Sequence, residues 1–296
     1  MLEDIDDICS HQSPGLTLMS NAQNHKDAEL TCRAFNSMFG LCDSLTTETL
    51  MRNVFMGSRR SVGDRCRVGD SFRYWCGFTD LREEDVWRDV NRNRNISNYR
   101  KDEPWFRSEP NGRTFENCAE NEVSVTGAIA EWNDAECDDN RRCFFCNFPA
   151  RPKLTLRGLS KCLARHFDTE YKWTNVSTEG CYEFQGRYGS RIVWDPSPLA
   201  RHWAISSMFK SKNTNITLTS SFRPNTRYPM GLHRWQVIGD RHDCEYVSLT
   251  GPGDVDLHFS ACSQDDFSCE DGSCVSIQKR CDRINDCGDS RLRGIQ

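Results

Sequence analysis

The chain has 296 residues, enough for two or three domains, and its 37% hydrophobic content can support small cores. Its net charge of −5 excludes the strongly basic surface that nucleic-acid binding needs, so no nucleic-acid partner is expected. The 17 cysteines favour an oxidising compartment, with a cytosolic zinc protein as the alternative. Zinc-ligand spacing is mostly absent, which weighs against that alternative.

Secretion is also indicated by three N-glycosylation sequons, at Asn95, Asn175 and Asn215. Residues 1–20 are acidic and lack the basic and apolar regions of a signal peptide, and no run of about 18 apolar residues predicts a transmembrane segment. We therefore expect an extracellular protein, secreted or part of a membrane-protein ectodomain. The missing entry signal and the odd cysteine count predict an incomplete gene model.

The first predicted elements are two helices. Residues His25 to Asn36 form an amphipathic pattern, and a second helix is expected from Thr46, with a threonine cap. Strands punctuated by tryptophan and glycine follow. They are predicted at Tyr74–Phe78, Ala130–Asp134 and Cys143–Cys146.

Oxygen-bearing side chains then cluster in two short runs. Glu109-Pro110-Asn111 is followed by Glu116, and Trp132 is followed by Asn133 and Asp134. Ca²⁺ prefers six to eight such hard oxygen ligands, so the five side chains predict a calcium site. A Glu/Asn pair also suits a vicinal diol. The Glu carboxylate can accept a hydrogen bond from a sugar hydroxyl, and the Asn amide can donate one to it. There are two alternatives. These acidic and amide residues could simply form turns, or the domain could bind protein or lipid without metal.

These runs, with Cys32, Trp75-x-Gly77-Phe78 and Cys118, resemble the C-type lectin-like domain over nearly all of the first 148 residues. The resemblance implies that the five side chains bind one Ca²⁺, which binds sugar directly. It implies a preference for equatorial 3,4-diols, as in mannose, N-acetylglucosamine, glucose or fucose, and a cis bond before Pro110. It further implies two disulfides, Cys32–Cys146 and Cys118–Cys137.

Departures from that family concern cysteines and one insert. Cys66–Cys76 is a plausible local bridge. The stretch from Ala119 to Glu131 is longer than usual and lies beside the predicted site. Trp75 and Trp132 are expected in the core. The pairings of the other cysteines stay open; they are Cys9, Cys42, Cys143, Cys162, Cys181, Cys244 and Cys281.

The C-terminal run of five cysteines closely resembles a low-density lipoprotein receptor class A repeat, which implies Cys262–Cys274 and Cys269–Cys287. Cys281 lacks a sixth partner, and Leu292 and Arg293 replace two acidic ligands of that family's calcium cage. We expect this repeat to bind Ca²⁺ poorly and to fold badly. The predicted fold is an α+β C-type lectin-like domain (1–149), a small all-β domain (150–260) and a truncated class A repeat with little regular structure (261–296).

The predicted function is calcium-dependent carbohydrate binding in extracellular recognition or adhesion, with glycans or glycoproteins as partners. The alternatives are a protein-binding ectodomain of a receptor or ligand-gated channel, and a disulfide-rich spacer. No nucleophile elbow, zinc-protease motif or phosphate loop occurs, so no enzyme is expected. Glu109 and Glu116 could serve as glycosidase carboxylates, but metal ligation explains them better.

Overall fold

The computed structural model describes residues 15–58, 63–96, 105–106, 108–124, 130–149, 152–176, 182–195, 202–209, 216–220, 228–238, 254–263, 265–279 and 286–287. By its contacts the chain divides into two compact units. The first comprises Met1–Cys32 and Ser37–Arg151, and the second comprises Arg33–Asn36 and Pro152–Gln296. The division into three domains stays a prediction.

The first unit contains the second predicted helix and all but the last two residues of the first. Helix α1 spans His25–Ala34, ending two residues early because Asn36 adopts the left-handed conformation, with φ 53°. Helix α2 spans Leu45–Gly57. The predicted cap at Thr46 is wrong, since the Ser44 hydroxyl accepts the Thr47 N–H at 3.1 Å and starts the helix one residue earlier.

The first unit also contains an eight-stranded sheet. All three strands predicted for this segment are confirmed. The central order is β1-β8-β4-β6-β7, with β2 beside β8 and with β3 and β5 beside β4. The strands are β1 Leu16–Gln23, β2 Met38–Phe39, β3 Arg67–Val68, β4 Ser71–Thr79, β5 Arg88–Asp89, β6 Cys118–Ser124, β7 Ala130–Ala135 and β8 Arg142–Asn147. The predicted insert from Ala119 to Glu131 lies mostly in the antiparallel β6–β7 pair, where Glu120 faces Asn133.

Four disulfides lie in this unit among the described residues. Cys32–Cys146 and Cys118–Cys137 are confirmed. The predicted Cys66–Cys76 bridge is wrong, and the observed pairs are Cys42–Cys76 and Cys66–Cys143. Cys66 precedes the short strand β3, and the parallel β4–β8 pairing places Cys143 opposite Tyr74, so tertiary pairing decides the partner.

The second unit contains a closed antiparallel barrel of eight strands. Sequential strands are neighbours, and β16 pairs with β9 to close it. The strands are β9 Lys153–Arg157, β10 Glu170–Val176, β11 Tyr182–Gly186, β12 Arg191–Asp195, β13 His202–Ser206, β14 Thr217–Ser220, β15 Gly231–Ile238 and β16 Asp254–Ser260. Alternate residues of β12 and β13 point inward, including Ile192 and Trp203, so the expected β-domain is a barrel with an aromatic interior.

The class A segment contributes β17 Asp266–Ser268 and β18 Cys274–Ser276 and contacts the barrel. The Leu232 N–H donates to the Glu270 carbonyl at 2.7 Å, and His258 Nε2–H donates to the Cys269 carbonyl at 2.9 Å. Gly231 permits this approach, because a Cβ there would lie 2.3 Å from the Glu270 oxygen. Ordered hydrogen bonds therefore hold this part of the repeat.

Both class A disulfides, Cys262–Cys274 and Cys269–Cys287, are confirmed. Cys162 is also disulfide-bonded. Other positions named in the sequence lie outside the described residues, so the expectations for them stay predictions. They are Cys9, Cys181, Cys244, Cys281, Leu292, Arg293 and Asn215.

Of the remaining sequon asparagines, Asn95 is exposed, and Asn175 lies in β10 with its side chain undescribed. Glycosylation stays a prediction. Within the described part of the chain, no helix has the length and apolar character needed to cross a membrane.

Candidate functional site

The loop that enters β6 and the strand β7 bring the predicted ligands to one region. The Glu109–Pro110 bond is cis, as expected from the resemblance. The Phe106 N–H donates to the Trp132 carbonyl at 2.8 Å, and the Glu109 N–H donates to the Phe106 carbonyl at 2.9 Å. These bonds connect the Glu109-Pro110-Asn111 triplet to the strand that carries Asn133 and Asp134.

Asp134, on β7, is only 2% exposed and contacts the loop that follows the triplet. Its Oδ2 accepts the Gly112 N–H at 2.8 Å. Its Oδ1 and the Glu109 Oε2 are buried and face no N–H or O–H donor among the described residues. The two carboxyls lie close enough to hydrogen-bond to each other when one of them is protonated. Gly112 also lets Glu116 fold against the loop, because a Cβ there would lie 2.2 Å from the Glu116 Oε2. Three carboxylates thus converge on the turn that follows the triplet.

The pKa values of Glu109 and Glu116 are both raised, first by burial and then by neighbouring carboxyl groups. The pKa of Glu109 rises to about 7, first through burial, then through a hydrogen bond with the Asp134 carboxyl and through the charges of Asp134 and Glu116. The pKa of Glu116 is also raised, first by burial and then by the charges of Asp134, Glu136 and Glu120. A divalent cation would relieve this repulsion and supply the interaction that the buried oxygens lack.

The two asparagines occupy different positions. The Asn133 Nδ2 donates to the Glu120 Oε1 at 3.1 Å and to the Asp134 carbonyl at 2.6 Å, which leaves the Asn133 Oδ1 as the free end of the amide. Asn111 is exposed at the loop surface, and its backbone hydrogen bonds to the Glu109 carboxyl. Both amides can therefore offer an oxygen to a ligand near the carboxylates.

The arrangement is a convergence of side chains rather than a closed metal cage. Among the residues that the structure describes, no group of three or more His, Cys, Asp and Glu side chains is already placed to hold a metal. The contacts above are pairwise, as expected for carboxylates that repel one another. The donor set is chemically suited to Ca²⁺, whose flexible coordination accepts mixed carboxylate and amide oxygens.

Sequence reasoning missed Glu120, a fully buried carboxylate that supports Asn133. Arg73 Nη1 donates to its Oε1 at 2.6 Å, and Arg142 Nε donates to its Oε2 at 2.5 Å. No motif marks this residue. The available signal was a pair of polar residues, Glu120 and Asn121, in a strand of a small sheet.

The tryptophans are core residues, as predicted. Trp75 is fully buried and Trp132 is 5% exposed. The Trp132 Nε1–H donates to the Glu48 Oε1 of helix α2 at 2.9 Å. Trp132 therefore anchors the start of the Asn133-Asp134 segment to the helix.

Comparisons with known proteins agree with two of the expected domain types. The family described as low-density lipoprotein receptor domain class A matches residues 260–291. A perlucin-like protein from Mytilus galloprovincialis is 33% identical over 79 residues, which cover 27% of this chain and 46% of that protein. The chain thus matches about half of that relative.

Solved structures of the lectin-like class also align. The mouse scavenger receptor C-type lectin carbohydrate-recognition domain is 18% identical, with 46% of this chain and 90% of that chain covered and a TM-score of 0.33. Herring type II antifreeze protein is 16% identical, with 47% and 95% covered and a TM-score of 0.35.

The first unit is a C-type lectin-like domain, given its helices, sheet, cis-proline loop and disulfides. The chain as a whole combines this domain with a low-density lipoprotein receptor class A repeat. Both are families of non-enzymatic binding modules, and disulfide-rich domains of these kinds are typical of extracellular proteins.

Proposed function

We propose that the first unit binds carbohydrate through a Ca²⁺ ion held by five side chains: Glu109, Asn111, Glu116, Asn133 and Asp134. The observation that carries this proposal is the pair of buried carboxylate oxygens, Glu109 Oε2 and Asp134 Oδ1, which face no N–H or O–H donor among the described residues. A buried carboxylate oxygen without a donor is costly, and a cation is a partner that also neutralises the neighbouring carboxylates.

A bound Ca²⁺ would accept lone pairs from two neighbouring sugar hydroxyls. The side chains then complete the recognition. The Glu109 carboxylate accepts a hydrogen bond from one hydroxyl, and the Asn111 amide donates a hydrogen bond to a hydroxyl oxygen. This order of acceptor and donor along the triplet supports mannose-type ligands with equatorial 3,4-diols.

Retention of the full chain on mannose-agarose tests the proposal. We expect retention with about 10⁻³ M Ca²⁺, the range for extracellular calcium modules, and release by a chelator. Asp134→Asn should abolish retention. Asp70→Asn is the matched control, because Asp70 is fully exposed in a turn and undergoes the same chemical change. Failure of the wild-type chain to bind any mannose-type ligand with Ca²⁺ would overturn the proposal.

The competing function is protein binding by the same fold without sugar. It is favoured by the observation that the described carboxylates do not already form a metal-holding group. Under this alternative, Ca²⁺ changes neither retention on the resin nor the stability of the first unit.

A further inference from the structure

A fully buried carboxylate on β6, that of Glu120, contacts one of the five predicted ligands. The Glu120 Oε1 accepts the Asn133 Nδ2–H at 3.1 Å and the Arg73 Nη1–H at 2.6 Å. The Glu120 Oε2 accepts the Arg142 Nε–H at 2.5 Å. Two guanidinium groups therefore compensate the buried charge of Glu120, and this carboxylate needs no metal ion as a partner.

The side-chain amide of Asn133 has one orientation that suits its neighbours. The same end of the amide faces the Glu120 Oε1 at 3.1 Å and the Asp134 backbone carbonyl at 2.6 Å. Both neighbours are acceptors, and only the NH₂ end of an amide can donate to them. With the amide turned over, the Asn133 Oδ1 would face two oxygens and no donor. The NH₂ group therefore stays on the side of Glu120, which leaves the Oδ1 for a ligand.

We infer that Glu120 is a positioning residue for the cation site, because it holds the Asn133 amide with its oxygen available to Ca²⁺. This inference rests on the proposed function and adds a residue that binds neither the ion nor the sugar. Calcium takes oxygen ligands, so an amide turned over would place an NH₂ group where the ion needs a lone pair. Glu120 thus acts on the ion only through Asn133.

Glu120→Gln replaces one of the two carboxylate oxygens by an NH₂ group. The remaining oxygen should stay with Arg142, which is 7% exposed, because Arg73 has a second acceptor in the Glu122 Oε2 at 2.7 Å. The new NH₂ group then faces Asn133, whose Oδ1 turns toward it and away from the cation. Loss of such a supporting contact lowers metal affinity roughly 10–100-fold. Calorimetric titration of the full chain should therefore show Ca²⁺ binding at least about tenfold weaker than in the wild type.

Glu122→Gln is the matched control. It makes the same chemical change on the same strand and removes the other carboxylate that pairs with Arg73, but Glu122 lies opposite Glu131 in the sheet. It should leave the calcium affinity unchanged.

Asn133→Asp makes the test specific to orientation, because a carboxylate offers an oxygen at both ends. In the Asn133→Asp background, Glu120→Gln should therefore cause no loss of calcium affinity. An equal loss in the Asn133 and Asn133→Asp backgrounds would overturn the inference, because Glu120 would then act without the amide.

The wild-type chain provides a second measurement if Glu120→Gln does not fold. With isotope-labelled asparagine and chelator, nuclear magnetic resonance should show slow solvent exchange of the Asn133 NH₂ protons, assigned by their absence in Asn133→Asp. Slow exchange should persist with Ca²⁺, because the ion binds the other end of the amide. Fast exchange of these protons in the chelated protein would refute the orienting contact.

The results also separate the two proposals. If the wild-type chain binds no Ca²⁺ at about 10 mM, the proposed function and the role of Glu120 both fail. If the wild type binds Ca²⁺ and Glu120→Gln binds it with the same affinity, only the role of Glu120 fails.

Discussion

Replacing Asp134 by asparagine removes a negative charge from the candidate site and keeps an oxygen for the Gly112 N–H, which lies 2.8 Å away. The charge of Asp134 contributes to the raised pKa values of Glu109 and Glu116. Without Ca²⁺, the Asp134→Asn variant should therefore be at least as stable as the wild type, because repulsion among the carboxylates is relieved.

With Ca²⁺ present, the wild type should be more stable than the Asp134→Asn variant. For a dissociation constant of about 10⁻⁴–10⁻³ M, about 10 mM Ca²⁺ stabilises the wild-type fold by roughly 1.4–2.7 kcal/mol. For a unit of this size that corresponds to a rise in melting temperature of roughly 3–11 °C. The variant lacks a ligand carboxylate and should gain little.

Differential scanning calorimetry of the full chain, with Ca²⁺ and with chelator, measures both effects. Asp70→Asn should behave as the wild type, and it controls for a general change in charge. An equal Ca²⁺-dependent rise in the wild type and in Asp134→Asn would refute the reasoning, because the ion would then bind elsewhere in the chain.

Three further predictions follow from named contacts. Glu109→Gln combined with Asn111→Asp should move retention from mannose-agarose to galactose-agarose, because the acceptor and donor exchange places; unchanged preference would contradict the diol argument. Burial lowers the pKa of His25 to about 4. The unfolded chain therefore takes up a proton below about pH 6.5, and by pH 4.5 the first unit should lose about 2.5 kcal/mol of unfolding free energy. This loss is absent above pH 6.5 and should be missing in His25→Gln, as measured by urea unfolding. Glu120→Gln should lower the unfolding free energy by about 3 kcal/mol at pH 7, because two arginines lose their carboxylate; a loss under about 1 kcal/mol would show that the buried pairs contribute little.

The sequence was most informative where the constraint was local. The helices, the strands around Trp75 and Trp132, and the class A cysteine spacing all depend on near neighbours, and the structure confirms them. The helix boundaries shifted by one or two residues, because the Ser44 cap and the left-handed Asn36 decide the ends.

Features that depend on the pairing of distant segments could not be predicted from neighbouring residues in the sequence. Cys66 and Cys76 are close in sequence, but the parallel pairing of β4 with β8 gives Cys66 a partner 77 residues away. Closure of the barrel depends on β16 meeting β9, and no local pattern encodes that contact. Glu120 was missed for the same reason, because its arginine partners come from two other strands.

The most direct test of the central claim is the affinity of the full chain for methyl α-mannoside as a function of Ca²⁺ concentration. We predict binding that appears with a midpoint of about 10⁻⁴–10⁻³ M Ca²⁺ and is absent in Asp134→Asn. Binding of equal strength in chelator, or no binding at any Ca²⁺ concentration up to about 10 mM, would contradict the account.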